Sequence, residues 1–264
     1  MKKKTFISAI AMIFLFTVSF LVTAADNGKE VKILFIGNSL TSANNLPGVV
    51  ADIAKSHGYT VTYDSYTPGG ARLIRHSSDA RVLQKIEETS WDFVVFQEQS
   101  QYPGFSEKQL ARDVFPYAES LSLAVKESSD KSTVVFYMTM ARKNGDPQNV
   151  NNIPELGTYE GMQERVNSCY LEMGKSNDAL VAPVGEVCMA VREEKPDLDL
   201  YSDNVHPNKT GTYLAACVFY TTFFNKTSVG SSVPAGVDPA SAQYIHSVVD
   251  RVALKQRHVW DWTK

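Results

Sequence analysis

Beyond Lys2, Lys3 and Lys4 the sequence has no run of basic side chains. That absence argues against nucleic acid or an anionic membrane surface as a partner. With those three lysines set aside, 23 basic side chains face 29 acidic ones, a net charge of −6. Cysteine is scarce as well. Cys169, Cys188 and Cys217 are odd in number, each lies among apolar residues, and none has metal-ligand spacing. Buried free thiols are expected rather than a disulfide framework. No cysteine follows Ala24 closely, which argues against a lipid-anchored form. There is no internal repeat and no shift in composition that marks a second domain.

The N-terminal stretch has the pattern of an export signal. A positive start is followed by an apolar core from Phe6 to Val22 and the small-residue pattern Val22-Thr23-Ala24. Residues 1–24 are therefore expected to be a cleaved signal peptide, leaving no stable membrane span and a secreted or periplasmic protein. Residues 25–264 suit one α/β domain with a substantial core.

What the chain does have begins at Ile33-Leu34-Phe35-Ile36-Gly37-Asn38-Ser39-Leu40-Thr41. An apolar run ending in a turn signal reads as a strand buried on both faces. It hands its next residues to the carboxyl edge of the sheet, where open α/β sheets bind ligands. A helix over 46–57 and a strand over 59–66 follow, ending in Gly69-Gly70. Two glycines after a strand usually form only a turn; here they also offer a backbone amide close to a substrate. A helix over 79–88 is expected to turn Leu83 and Ile86 inward. The strand over 91–96 runs into the polar segment Gln97-Glu98-Gln99-Ser100-Gln101. Ser106 and Gln109 have capping-box spacing before a helix that Pro116 is expected to kink. After a strand over 133–138, residues 141–157 read as a long polar binding loop based on Arg142 and Lys143. A helix carrying Met162, Val166, Cys169, Tyr170 and Met173, a strand over 179–182 and a helix over 184–194 complete the alternation. Pro207 reads as the first residue of a buried helix reaching about 224. A linker over 228–236 and a helix over 239–255 follow, with Trp260 and Trp262 docking the terminus.

Five strands alternating with helices predict an α/β fold, a five-stranded parallel sheet with helices on both faces. Right-handed crossovers bring Ser39, Gly69-Gly70, the 97–101 segment and Asp203 with His206 to one rim. Those residue types fit ester hydrolysis. Ser39 needs a base, and an imidazole, ordinarily near ~6.5, suits that role at neutral pH. His206 is the expected base, and Asp203, three residues earlier, would fix its tautomer. The Ser39 amide, the Gly70 amide and the Gln99 side chain are the expected oxyanion donors, each worth about 3 kcal/mol. Glu98 reads as a structural acceptor. Asn38 and Arg142 are candidate substrate contacts, although Asn38 could instead tie down the turn. The scheme needs no metal and no cofactor.

These residues resemble the blocks of the SGNH (GDSL-type) hydrolases. Gly37-Asn38-Ser39-Leu40 is similar to their Gly-Asp-Ser-Leu, Gly70 to their oxyanion glycine, and Asp203-Asn204-Val205-His206-Pro207 to their Asp-x-x-His-Pro. The resemblance implies a three-layer flavodoxin-like SGNH hydrolase fold and hydrolysis of an ester. The third block departs: Gln97-Glu98-Gln99-Ser100 stands where the family has Gly-x-Asn-Asp. It is similar to a secreted bacterial branch with the same Gln-Glu-Gln-Ser variant.

A small-molecule or glycan ester is the expected substrate. Export, acidity and the lack of a long apolar lid favour acylated, above all acetylated, carbohydrate. The resemblance also covers lysophospholipases and thioesterases. Outside catalysis, Ser39-Leu40-Thr41-Ser42 superficially resembles a flavodoxin phosphate loop, and a glycan-binding pseudoenzyme is a further alternative.

Overall fold

The computed structural model describes residues 30–263, so the expected signal peptide lies outside the described residues. In β1 (Glu30–Ile36), Ile33, Leu34, Phe35 and Ile36 are fully buried because helices cover both faces of the sheet. A four-residue helix, α1 (Ser39–Ser42), and then α2 (Leu46–Ser56) lead to β2 (Thr60–Tyr66). Next come α3 (Leu73–His76), α4 (Ala80–Glu87), β3 (Phe93–Phe96), α5 (Glu107–Asp113), α6 (Phe115–Ser128) and β4 (Thr133–Tyr137). The remainder is α7 (Tyr159–Ser176), β5 (Leu180–Ala182), α8 (Val184–Glu194), α9 (Lys209–Phe224), α10 (Pro239–Val249) and α11 (Arg257–Trp260).

The strands form one sheet in the order β2-β1-β3-β4-β5, and each neighbouring pair is parallel. The expected five-stranded parallel architecture is therefore present. β1 lies inside it, with Ile33 opposite Tyr63 on one side and Phe93 on the other. α2 and α9 pack together on one face, and α4, α6 and α7 form the other layer. α9 is apolar nearly all round because it is held between the sheet and the outer helices. Its Phe219 ring lies 5.7 Å from Phe35 and 5.0 Å from Tyr137, while Phe223 lies 4.7 Å from Phe93. Such aromatic pairs contribute beyond the area they bury. The three cysteines, one each on α7, α8 and α9, are buried and free.

Several local expectations need correction. Pro207 does not open α9; it bridges Tyr201 in a small antiparallel ladder. The cap is Asn208, whose side chain accepts from Gly211 N at 2.9 Å. The helix expected to kink at Pro116 is divided at Val114 into α5 and α6, with Pro116 in the first turn of the second. There the missing N–H costs nothing, since first-turn amides have no intrahelical acceptor. On α4 the residues turned fully inward are Val82 and Ile86, with Leu83 only partly covered. The 141–157 segment is less polar in its surroundings than its composition implies: Asp146 and Leu156 are fully buried. The last helix stops at Val249, passes through a π-helical turn over Asp250–Leu254, and ends in α11. Trp260 Nε1 donates to Val252 O at 2.9 Å, and Asp261 bridges Leu180, so the terminus docks beside β5. Among the described residues no helix is long and apolar enough to cross a membrane.

Candidate active site

At the end of β1 the backbone turns sharply through Gly37. A Cβ there would collide with Thr41 Oγ1 and lie 2.6 Å from Gln97 Oε1, so a side chain would displace the groups that fix the turn. Gln97, fully buried, reaches across from β3 and accepts from Asn38 N and Thr41 Oγ1, both at 2.9 Å. The Asn38 side chain accepts from Leu40 N at 3.0 Å and donates to Ala71 O at 2.9 Å. The turn is thus fixed from three directions, and it presents Ser39 as the first residue of α1. Asn44 and Asn45 behind it adopt left-handed backbones, which asparagine tolerates better than most residues. Asn44 Nδ2 donates to Pro207 O at 3.0 Å and to Thr212 Oγ1 at 2.9 Å, tying this segment to the loop that carries His206.

That loop is a tight excursion closed by the Tyr201–Pro207 bridge and by Ser202 N donating to His206 O. Asp203 organises its tip. Oδ1 accepts from Val205 N at 2.6 Å and His206 N at 2.7 Å, while Oδ2 takes His206 Nδ1 at 2.8 Å. The two amides, that of His206 first, hold the carboxyl down at about 2. An ionised carboxylate only accepts, so the proton of the ring sits on Nδ1. The lone pair on Nε2 then faces Ser39 Oγ, 2.9 Å away. The chain brings Ser39, His206 and Asp203 into line although 167 residues separate serine from histidine. Both acidic and imidazole members are open to solvent, with side-chain exposures of 56% and 36%. A cleft of about 780 Å³ between α4 and α6, lined by Ile86 and Leu123 among others, contains none of the three.

The expected donors lie in the adjoining loops. Gly70 has φ of +66°, and a Cβ there would meet nothing within 4 Å. Backbone conformation, rather than protein crowding, therefore accounts for glycine. Among the described residues, neither the Ser39 amide nor the Gly70 amide donates to a protein acceptor. Gln99 Oε1 is occupied by Gln101 N at 2.8 Å. Its NH₂ end makes one long contact, 3.4 Å to Gln101 Oε1, which leaves donor capacity at that end.

Two expected substrate contacts have partners within the protein. Asn38 is buried with both ends of its amide engaged, so it holds the turn. Arg142 is also mostly covered, at 13% exposure, with Nη1 3.4 Å from the fully buried Asp146 and Nε 3.4 Å from Ser100 Oγ. A buried carboxylate requires such a partner. Sequence reasoning missed Gln97 and His76. The buried His76 Nε2 donates to Gly37 O at 2.9 Å, and burial lowers its pKa, keeping it neutral. The available signal for Gln97 was its place, directly after a buried strand and beside the nucleophile turn. Glu98 is an acceptor, as expected, and a fully buried one. No cluster of three or more His, Cys, Asp or Glu suited to a metal occurs among the described residues.

No family model and no curated protein matches the chain. Solved structures do. A protein from Slackia heliotrinireducens, assigned as an SGNH hydrolase, is 30% identical over 74% of this chain and 99% of its own, with a TM-score of 0.59. A DUF4886-family protein from Bacteroides uniformis gives a TM-score of 0.74 at 16% identity, covering 86% of this chain and 96% of its own. A catalytic mutant of an acetylxylan esterase from Geobacillus stearothermophilus gives 0.53 at 15% identity, covering 74% and 95%. The last two share the fold.

Proposed function

Because the chain belongs to the SGNH hydrolases, we propose that it is a secreted serine esterase that removes acyl groups, acetyl foremost, from carbohydrate. The observation that carries this reading is the unbroken contact from Ser39 Oγ through His206 to Asp203. In the proposed reaction Ser39 Oγ attacks the acyl carbonyl while His206 Nε2 takes its proton. The oxyanion is met by the Ser39 and Gly70 amides and the Gln99 side chain. His206 then returns the proton to the departing alcohol, leaving an acyl-serine. Water, deprotonated by the same nitrogen, releases the acid and restores the serine.

An open, solvent-exposed His206 and Asp203 suit a bulky polar alcohol, and one structural neighbour is an acetylxylan esterase. Residues 1–24 act in this proposal as the export signal and 25–264 as one hydrolase domain, on the charge and apolar pattern of the N-terminus. The Gln-Glu-Gln-Ser block belongs to the same proposal, as an inherited variant in which Gln99 replaces the family asparagine.

The test is hydrolysis of p-nitrophenyl acetate and of acetylated xylo-oligosaccharides beside Ser39→Ala. A fluorophosphonate probe should label the protein once, at Ser39. Label that survives Ser39→Ala refutes the assignment. Cleavage of the nitrophenyl ester but of no acetylated sugar keeps the esterase and removes the carbohydrate.

A further inference from the structure

The third block contains a carboxylate that the reaction above does not use. Glu98 is fully buried. Its two oxygens point to different loops: Oε2 accepts from Leu73 N at 3.2 Å, and Oε1 from Gln99 N at 2.6 Å. Leu73 opens α3, three residues after Gly70. Gln99 is the residue whose side chain is the third oxyanion donor. One carboxylate therefore spans the two segments that supply donors, while the glycine segment is also held to the nucleophile turn by Asn38 and His76.

The surroundings of Glu98 are spare. Arg72 Nε lies 3.9 Å from Oε1, beyond hydrogen-bond reach, and its guanidinium sits 3.3 Å over the Tyr102 ring with Nη2 donating to Asp113 O. From α7, Tyr170 OH accepts from Glu98 N at 3.1 Å, and the buried Cys169 thiol lies close enough for the Glu98 charge to act on it. Burial keeps both of those groups uncharged. Arg72 is thus the one cation facing the carboxylate among the described residues. A packed apolar residue would avoid the cost of burying charge. What only a carboxylate supplies here is two acceptors aimed at two separate N–H groups.

Resting on the esterase reading, we infer that Glu98 is a positioning residue: its ionised carboxylate clamps the Gly70 segment to the Gln99 segment and so sets the spacing of the oxyanion donors. Protonation turns one oxygen into a hydroxyl, a poorer acceptor with a hydrogen of its own to place, so its bond to the amide N–H weakens. One loop is then held less firmly. Burial pushes this carboxyl up to about 7, so the clamp is complete above neutrality and is lost as pH falls through that value.

The experiment is the pH dependence of kcat and KM for p-nitrophenyl acetate in wild type, Glu98→Gln and Arg72→Met. Amide hydrogen exchange at Leu73 and Gln99 is measured alongside. A neutral glutamine offers one acceptor, so Glu98→Gln is expected to lower kcat at pH 8 by about 10-fold or more with KM nearly unchanged. Exchange at Leu73 or Gln99 should quicken. The part of the acid limb of kcat that Glu98 contributes in wild type should be missing from the variant. Arg72→Met removes the charge that favours the carboxylate, so its acid limb should move to higher pH. A folded Glu98→Gln with wild-type kcat, limb and amide protection overturns the clamp. If that variant does not fold, Arg72→Met decides: a limb unmoved from wild type overturns the inference, and an upward shift supports it. Failure of the esterase reading is seen separately, as hydrolysis that persists in Ser39→Ala.

Discussion

Asp203 and Glu98 each accept two backbone amides, yet their acidities move in opposite directions. Asp203 is held at about 2 by the His206 and Val205 amides, whereas burial pushes Glu98 up to about 7 despite Gln99, Arg72 and Leu73. The difference is water. The Asp203 side chain is 56% exposed, so its charge keeps most of its hydration and the amides add to it. At Glu98 the same kind of contact replaces hydration that has been removed entirely, and it does not compensate in full. Similar local bonding therefore yields a carboxylate that never titrates in use and one that titrates at neutrality. The first can hold a tautomer at any working pH. The second can hold a pair of loops only conditionally.

Isosteric amides break the comparison most directly. Asp203→Asn keeps the shape but lets the imidazole choose the wrong tautomer, with an expected loss in kcat of up to ~10⁴. Activity unchanged in that variant would remove Asp203 from the chemistry. Beside the buried Glu98, Gln99→Ala should lower kcat by about 10²-fold and leave KM nearly alone, because an oxyanion donor acts on the transition state. A rise in KM with kcat spared would make Gln99 a substrate contact instead.

Stability sharpens the same contrast with a smaller effect. A carboxyl that titrates near 4.5 in the unfolded chain and at about 7 in the native one binds its proton more tightly when folded. Its contribution is most favourable below 4.5 and is lost as pH rises through 7, by about 3 kcal/mol in all. Asp203 has the opposite sign: its contribution is present above its ordinary value and fades as pH falls toward 2. Urea unfolding of wild type against Glu98→Gln should show the wild type losing ground steadily between pH 4.5 and 7. A constant difference over that range would mean that Glu98 is ionised in both states.

The exposed half of this comparison was legible and the buried half was not. Asp203 and His206 sit in one short loop, with spacing that lets a single carboxylate cap two amides and an imidazole. β1 and β3 announced themselves as apolar runs ending in polar turns. By contrast, Gln97 acts on Asn38 and Glu98 on Leu73, and no local period encodes which polar residue after a strand will turn inward. The partner of Arg142 was hidden for a related reason. Its loop looks solvated in composition, but Asp146 is buried and claims the guanidinium. Helix ends failed where two signals competed: proline at 207 outranked the true cap, Asn208, and proline at 116 suggested a kink where Val114 makes a break.

The three buried thiols have a consequence for how the molecule can be watched. Burial pushes Cys188 and Cys217 up to about 12 and raises Cys169 as well, so the folded protein presents almost no thiolate to an alkylating reagent. Reaction then waits for an opening. Because α7, α8 and α9 carry one sulfur each, modification at each position reports an opening that exposes that helix. The chain carries its own clock for unfolding, with one hand on each helix.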